Sequence, residues 1–151
     1  MSISLEPIAI VKNSRTTTAD DFWGNVISEI VLLDHIPVDA FDNIEQFSHL
    51  EIIYYFDKVD KDEIVYSGRP RGNPDYPVMG IFSQRKKDRP NQLGLCTVEL
   101  IEHRGRSINV KYLDAIDGSP VLDIKPVFRQ FELKTEIKQA PWVNDLMKYY
   151  W

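Results

Sequence analysis

The run Leu95-Cys96-Thr97-Val98-Glu99-Leu100-Ile101-Glu102-His103, the turn Arg104-Gly105-Arg106-Ser107 and the run Ile108-Asn109-Val110-Lys111-Tyr112-Leu113 decide the fold. Both runs are rich in β-branched and apolar residues, and Gly105 supplies the positive φ that a tight connection needs. Together they read as a β-hairpin. Working outward, five more short runs have strand character: Ile8–Lys12, Val26–Leu33, His49–Phe56, Val78–Gln84 and Val121–Lys125. Val26, Ile30 and Leu33 also fit a helix face, but the β-branched content and Pro37 downstream favour a strand. Short strands with few helices predict a mainly β domain over residues 1–151, a barrel or a sandwich of about seven strands.

Two short helices are expected. One follows Pro37, over Val38–Ile44. The other opens at Pro141, where Trp142, Leu146 and Tyr149 or Tyr150 recur at helical spacing as one apolar stripe. A helix of about ten residues is marginal alone, so this one has to dock on the strands or on a second subunit.

Composition narrows the class. At 43% apolar residues, the 151-residue chain has the material for one core, and its mean hydropathy of −0.30 suits a soluble protein. No apolar run reaches the roughly 20 residues of a membrane span, and Met1–Pro7 does not look like a secretory leader. The single cysteine, Cys96, sits in an apolar run and reads as a small buried hydrophobe; a reducing, cytoplasmic setting follows. His35, His49 and His103 have no metal-ligand spacing, so no metal is expected. Nucleotide-binding glycine motifs and the serine-hydrolase elbow are also missing.

The net charge of −5 argues against general nucleic-acid binding, but the charge is unevenly spread. Residues 69–89 carry six basic and two acidic side chains, a local +4 that leaves −9 for the rest. Such a patch either solvates a loop or steers an anionic ligand. It overlaps two proline-rich connectors, Arg69-Pro70-Arg71-Gly72-Asn73-Pro74-Asp75-Tyr76-Pro77 and Arg85-Lys86-Lys87-Asp88-Arg89-Pro90-Asn91-Gln92-Leu93-Gly94. Proline stiffens such segments and bars them from a sheet ladder, which suits them to carrying a site. A third connector, Leu113–Pro120, ends in the strong turn signal Asp117-Gly118-Ser119-Pro120.

Five blocks in order carry a resemblance: Phe47–Glu51, Arg69–Pro74, Gly80–Arg85, Arg89–Gly94 and Asp117–Pro126, the last reading Asp-Gly-Ser-Pro-Val-Leu-Asp-Ile-Lys-Pro. Over roughly Pro7–Pro126 the chain resembles the TsaA-like (TrmO-type) family. The resemblance implies a β-barrel that binds S-adenosylmethionine and methylates the exocyclic nitrogen of a threonylcarbamoylated adenosine in the tRNA anticodon loop. It also implies a homodimer. The family's cofactor contacts correspond to Phe56, Asp57, Arg85, Leu95, Asp117, Gly118, Ser119 and Pro120.

Physical roles follow for these positions. Phe56 and Leu95 suit walls for an adenine, and Arg85 suits the cofactor carboxylate or an RNA phosphate. Asp57 or Asp117 suits the cationic sulfonium or the ribose hydroxyls, and Gly118 allows close backbone approach. Asp114 and Lys125, with Asp123, are candidates for proton removal or substrate alignment. Arg69, Arg71, Lys86, Arg89 and Asn91 are the candidate RNA contacts. The chain departs from the family where Asp20-Asp21-Phe22-Trp23-Gly24 replaces a basic Pro-Arg-Gln segment, which predicts altered RNA contact there.

Overall fold

A computed structural model describes residues 1–151. Six antiparallel strands close into a barrel: β1 (Ala9–Lys12), β2 (Ile27–Leu32), β3 (His49–Tyr55), β6 (Leu93–Arg104), β7 (Ser107–Lys111) and β8 (Pro120–Pro126). Their order around it is β1-β2-β7-β6-β3-β8. Two further strands, β4 (Ser67–Gly68) and β5 (Met79–Gly80), pair only with each other, in the long excursion between β3 and β6.

Period-two alternation explains the barrel. Along β3 the inward residues Leu50, Ile52 and Tyr54 are buried and their neighbours are not. Ala9 and Val11 of β1, Ile30 and Leu32 of β2, Cys96 and Val98 of β6, and Ile108 and Val110 of β7 complete the interior. The expected hairpin is the β6–β7 pair, closed at Arg104↔Ser107 with Gly105 at φ 55°. Full closure leaves the barrel without an open sheet edge.

Three expectations change. Val78–Gln84 does not form a barrel strand: only Met79–Gly80 pairs, and Ile81–Ser83 is a single 3-10 turn. The Gln84 side-chain amide donates to the Gly68 and Met79 carbonyls, at 3.0 and 2.9 Å, and so closes the excursion on itself. The expected helix over Val38–Ile44 is instead two 3-10 turns, Val38–Phe41 and Ile44–Gln46, parted by Asn43 at φ 62°. The helix after Pro141, α1 (Trp142–Leu146), is only five residues long.

Helix α1 and the residues after it dock on the chain's own barrel. Tyr76 stacks near Trp142 and its hydroxyl donates to Asp145 at 2.5 Å. Beyond the helix the chain continues in turns, and the amides of Phe22 and Trp23 donate to the carbonyls of Tyr149 and Tyr150 at 2.9 and 2.7 Å. Gly24 permits this approach, since a Cβ there would lie 2.6 Å from the Trp151 carbonyl carbon. No helix is long and apolar enough to cross a membrane.

Candidate functional site

Antiparallel pairing fixes which connectors share a barrel end. Tyr55 is opposite Leu93 and Tyr54 is opposite Val121, so Phe56–Asp57, the start of β6 and the Asp117 turn all emerge at one mouth. The β1 exit joins them, because Asn13 follows Lys12 and its amide donates to Asp117 Oδ1 at 3.0 Å. A register shift between Ile53 and Tyr54 breaks the β3–β8 ladder at this mouth, a common device for re-aiming side chains at a site.

Asn13 holds the mouth together. Its side-chain amide donates to Ser28 Oγ at 2.9 Å and to the Ala115 carbonyl at 2.8 Å, while its Oδ1 accepts the Arg15 amide at 2.9 Å. Through Asn13 and the Gly118 amide, which donates to the Val11 carbonyl, the 113–120 connector is laced to the end of β1. Gly118 itself is at φ 82°, and no atom lies within 4 Å of where its Cβ would stand. A ligand can therefore meet bare backbone there.

Inside the rim, Asp114 is held by two phenols. Tyr54 donates to Asp114 Oδ1 at 2.7 Å, and Tyr150 donates to Asp114 Oδ2 at 2.5 Å. Tyr54 reaches up from the barrel interior because the residue opposite is Gly94; a Cβ at 94 would overlap the Tyr54 ring. Burial first, and the Asp114 charge second, push the hydroxyls of Tyr54 and Tyr150 well above the usual phenol range, so both stay donors. Cys96 lies below them, its thiol donating to the Tyr112 carbonyl at 2.8 Å; burial and then Asp114 raise it too, which leaves it an unreactive thiol.

The other site residues expected from sequence divide into two groups. At the mouth, Phe56 packs edge-on against Tyr54, at 5.3 Å between ring centroids, and its amide donates to the Gln92 carbonyl. Leu95 is half exposed on β6, and Arg85 donates to its carbonyl at 2.6 Å. Asp57 pairs with Lys58 at 3.2 Å. Asn91, at φ 63°, and Gln92, at φ 51°, form the strained turn before β6, anchored where Gln92 donates to the carbonyls of Phe56 and Val59. Lys125 stands apart. It lies opposite Glu51, towards the far end of β8, is exposed, and pairs with Asp123 at 2.5 Å, which raises its ammonium above the ordinary lysine range.

The basic side chains are mostly engaged within the chain. Arg71 forms a two-pronged pair with Asp21, at 2.9 and 3.2 Å, and Asp20 is 3.8 Å away. Arg69 donates to the Tyr76 and Pro74 carbonyls, and Arg89 to the Gln84 carbonyl at 2.8 Å. Lys86 and Lys87 share Asp88, at 3.2 and 2.9 Å; burial opposes the charge on Asp88, but these two hydrogen bonds prevail and hold its carboxyl below the usual range.

Sequence reasoning missed Asn13, Tyr54, Gly94 and Tyr150. The signal for Gly94 was present, as a glycine directly before the Leu95 run, where the strand in fact begins at Leu93. Nothing local marks the other three, because their partners lie far along the chain. The opposite end of the barrel has different character. Clefts of about 300 and 310 Å³ open there, the larger lined mainly by apolar side chains such as Phe41, Ile44, Phe47 and Leu50. No cluster of His, Cys, Asp or Glu side chains is placed to hold a metal ion.

Comparison with known proteins adds ancestry to this geometry. The S-adenosyl-L-methionine-binding protein of Archaeoglobus fulgidus is 36% identical over 125 residues, 80% of this chain and 86% of that protein. A probable S-adenosyl-L-methionine-binding protein of Methanothermobacter thermautotrophicus is 37% identical over 135 residues, 87% of this chain and 95% of the relative. The mouse tRNA (adenine(37)-N6)-methyltransferase is 34% identical over 99 residues, but the match covers only 22% of that enzyme. Crystal structures of TrmO share the fold: the one from Pseudomonas aeruginosa superposes with a TM-score of 0.75 at 23% identity, over 93% of this chain and 62% of that one. The tRNA-methyltransferase O N-terminal domain family matches residues 16–133, which hold the barrel from β2 to β8 together with the Asp114 mouth, and the chain belongs to that family.

Proposed function

We propose that this protein is an S-adenosylmethionine-dependent methyltransferase that modifies the exocyclic N6 of an adenosine in the tRNA anticodon loop, with threonylcarbamoyladenosine as its acceptor. One observation carries the reading: connectors distant in sequence, including the Phe56–Asp57 step and the Asp117 turn, open at a single mouth around Asp114. The residues there fit the cofactor. Gly118 presents open backbone, Leu95 an exposed apolar surface, and Arg85 a guanidinium that donates to the Leu95 carbonyl.

Leu95 and Phe56 would flank the adenine, and Arg85 would meet the carboxylate of the methionine end. Asp57 and the Asp117 turn would meet the ribose hydroxyls. When bound, the cofactor supplies a methyl group and keeps the broken S–C pair on sulfur, while the acceptor nitrogen forms the new bond and loses its proton to water. Alignment dominates such a displacement, and the laced 113–120 connector provides a rigid frame for it. Arg69, Arg71, Lys86, Arg89 and Asn91 would form the RNA-facing set. A homodimer would enlarge that surface, and the cytoplasm is where tRNA would be met.

A second reading has one observation in its favour. Arg71 is already occupied by Asp20 and Asp21, and Lys86 by Asp88, so an acceptor other than RNA would meet a rim with little free positive charge. Incubation with methyl-labelled cofactor and tRNA from a host lacking this gene separates the two. Label in tRNA, lost when the threonylcarbamoyl group is absent, supports the proposal. Tight cofactor binding without labelled tRNA supports the second reading.

A further inference from the structure

Three carboxylates stand at the mouth, and their surroundings differ. Asp57 has Lys58 at 3.2 Å, so a cation already balances it. Asp117 Oδ1 accepts the Asn13 amide, which ties it into the lacing of the 113–120 connector. Asp114 has neither arrangement. Both its oxygens are taken by phenol hydroxyls, and it forms no ion pair with any Lys, Arg or His. Phenols orient a carboxylate without supplying a counter-charge. Asp114 is half-buried at the mouth with phenols as its side-chain partners, and a carboxylate so placed attracts a cation strongly at short range.

The cofactor offers such a cation in its sulfonium. We propose that Asp114, clamped by Tyr54 and Tyr150, is the counter-charge that recognises the sulfonium, with the two tyrosines as positioning residues. This moves the role from Asp57 and Asp117, the carboxylates singled out by sequence, and it rests on the cofactor reading above. Tyr150 lies beyond the residues matched by the family, 16–133, so part of the clamp comes from the segment that follows them. That segment is built to hold its place: the Phe22 and Trp23 amides fix the Tyr149 and Tyr150 carbonyls, and the Trp151 ring packs edge-on against Tyr150 and Tyr112 at 4.9 and 5.7 Å.

A consequence follows for turnover. S-Adenosylhomocysteine, the cofactor after methyl transfer, has a neutral thioether in place of the sulfonium. Asp114 therefore holds the methyl donor more tightly than the spent product and assists its exchange.

Calorimetric titration of both ligands tests this without any assay of methyl transfer. The unaltered chain is expected to prefer S-adenosylmethionine over S-adenosylhomocysteine. Asp114→Asn keeps the shape and can still hydrogen-bond both phenols, and it should cut that preference about tenfold, almost wholly through weaker binding of the sulfonium ligand. Tyr150→Phe keeps the ring packing and should cut it several-fold, with S-adenosylhomocysteine affinity unchanged. Asp57→Asn should leave the preference as it was. Equal weakening of both ligands, or an unchanged ratio in Asp114→Asn, overturns the proposal, as does collapse of the ratio in Asp57→Asn. Should the unaltered chain bind neither ligand, the cofactor reading itself fails and takes this proposal with it.

Discussion

The two ends of the barrel are made from the same strands yet differ in kind. At the far end, the larger cleft is lined by Phe41, Ile44, Phe47 and Leu50, close-packed apolar residues continuous with the core. At the mouth, the strands stop early and polar groups take over: a buried Ser28 bonded to Asn13, a carboxylate between two phenols, and a turn whose glycine exposes bare backbone. Packing explains the first end without remainder. It does not explain the second, where Asp114 has two phenol partners and no ion pair, and Asn91 and Gln92 hold costly positive φ angles. Polar order that stability does not require is the mark of a site.

Substitutions at each end should separate stability from ligand binding. Leu50→Ala leaves a cavity in the fully buried wall of the far end and should destabilise by about 2–5 kcal/mol in denaturant titration, with cofactor affinity unchanged in the folded fraction. Gly94→Ala acts at the mouth. Its methyl group would push against the Tyr54 ring, so a loss of about 1–3 kcal/mol is expected together with a marked loss of cofactor affinity. If Gly94→Ala lowers stability and leaves affinity intact, the contrast between the ends is broken.

Smaller effects sharpen the picture of the rim. Asp21→Asn frees Arg71 from an ion pair that is largely at the surface, so stability should change by about 1 kcal/mol or less. Affinity for tRNA at low salt should rise several-fold, and the gain should fade as salt is added. An unchanged or weaker tRNA affinity would favour the non-RNA acceptor. The smallest effect concerns pH. Because Asp88 is held below its ordinary carboxylate range by Lys87 and Lys86, its contribution is complete above that range and is lost as pH falls from it through the lowered native value. Asp88→Asn should therefore narrow the stability gap between neutral and acidic solution slightly, read from melting curves at several pH values.

Much of the barrel was legible because alternation is local. The β6–β7 hairpin, β1, β2, β3 and β8 all lie where short apolar runs predicted strands. Val78–Gln84 pairs only over Met79–Gly80, and the Gln84 side chain ties the loop closed through the Gly68 and Met79 carbonyls. The helix after Pro141 ended early because residues 149–150 pair with the 22–23 backbone, a contact no periodicity reveals. The site shows the same division. Gly118 and Arg85 sit in recognisable blocks, whereas Tyr54 and Asp114 meet across 60 positions and Tyr150 and Asp114 across 36. Lys125 was drawn in by its block, but strand geometry carries it down β8, away from the mouth.

Amide hydrogen exchange with and without S-adenosylmethionine tests the central claim, that the cofactor lies at the Asp114 mouth. Slowed exchange is predicted at Phe56–Asp57, at Leu93–Leu95 and across residues 113–119, with the amides of Phe41, Ile44, Phe47 and Leu50 unaffected. Protection at those four residues, with the mouth unchanged, would place the ligand in the apolar cleft and contradict the account.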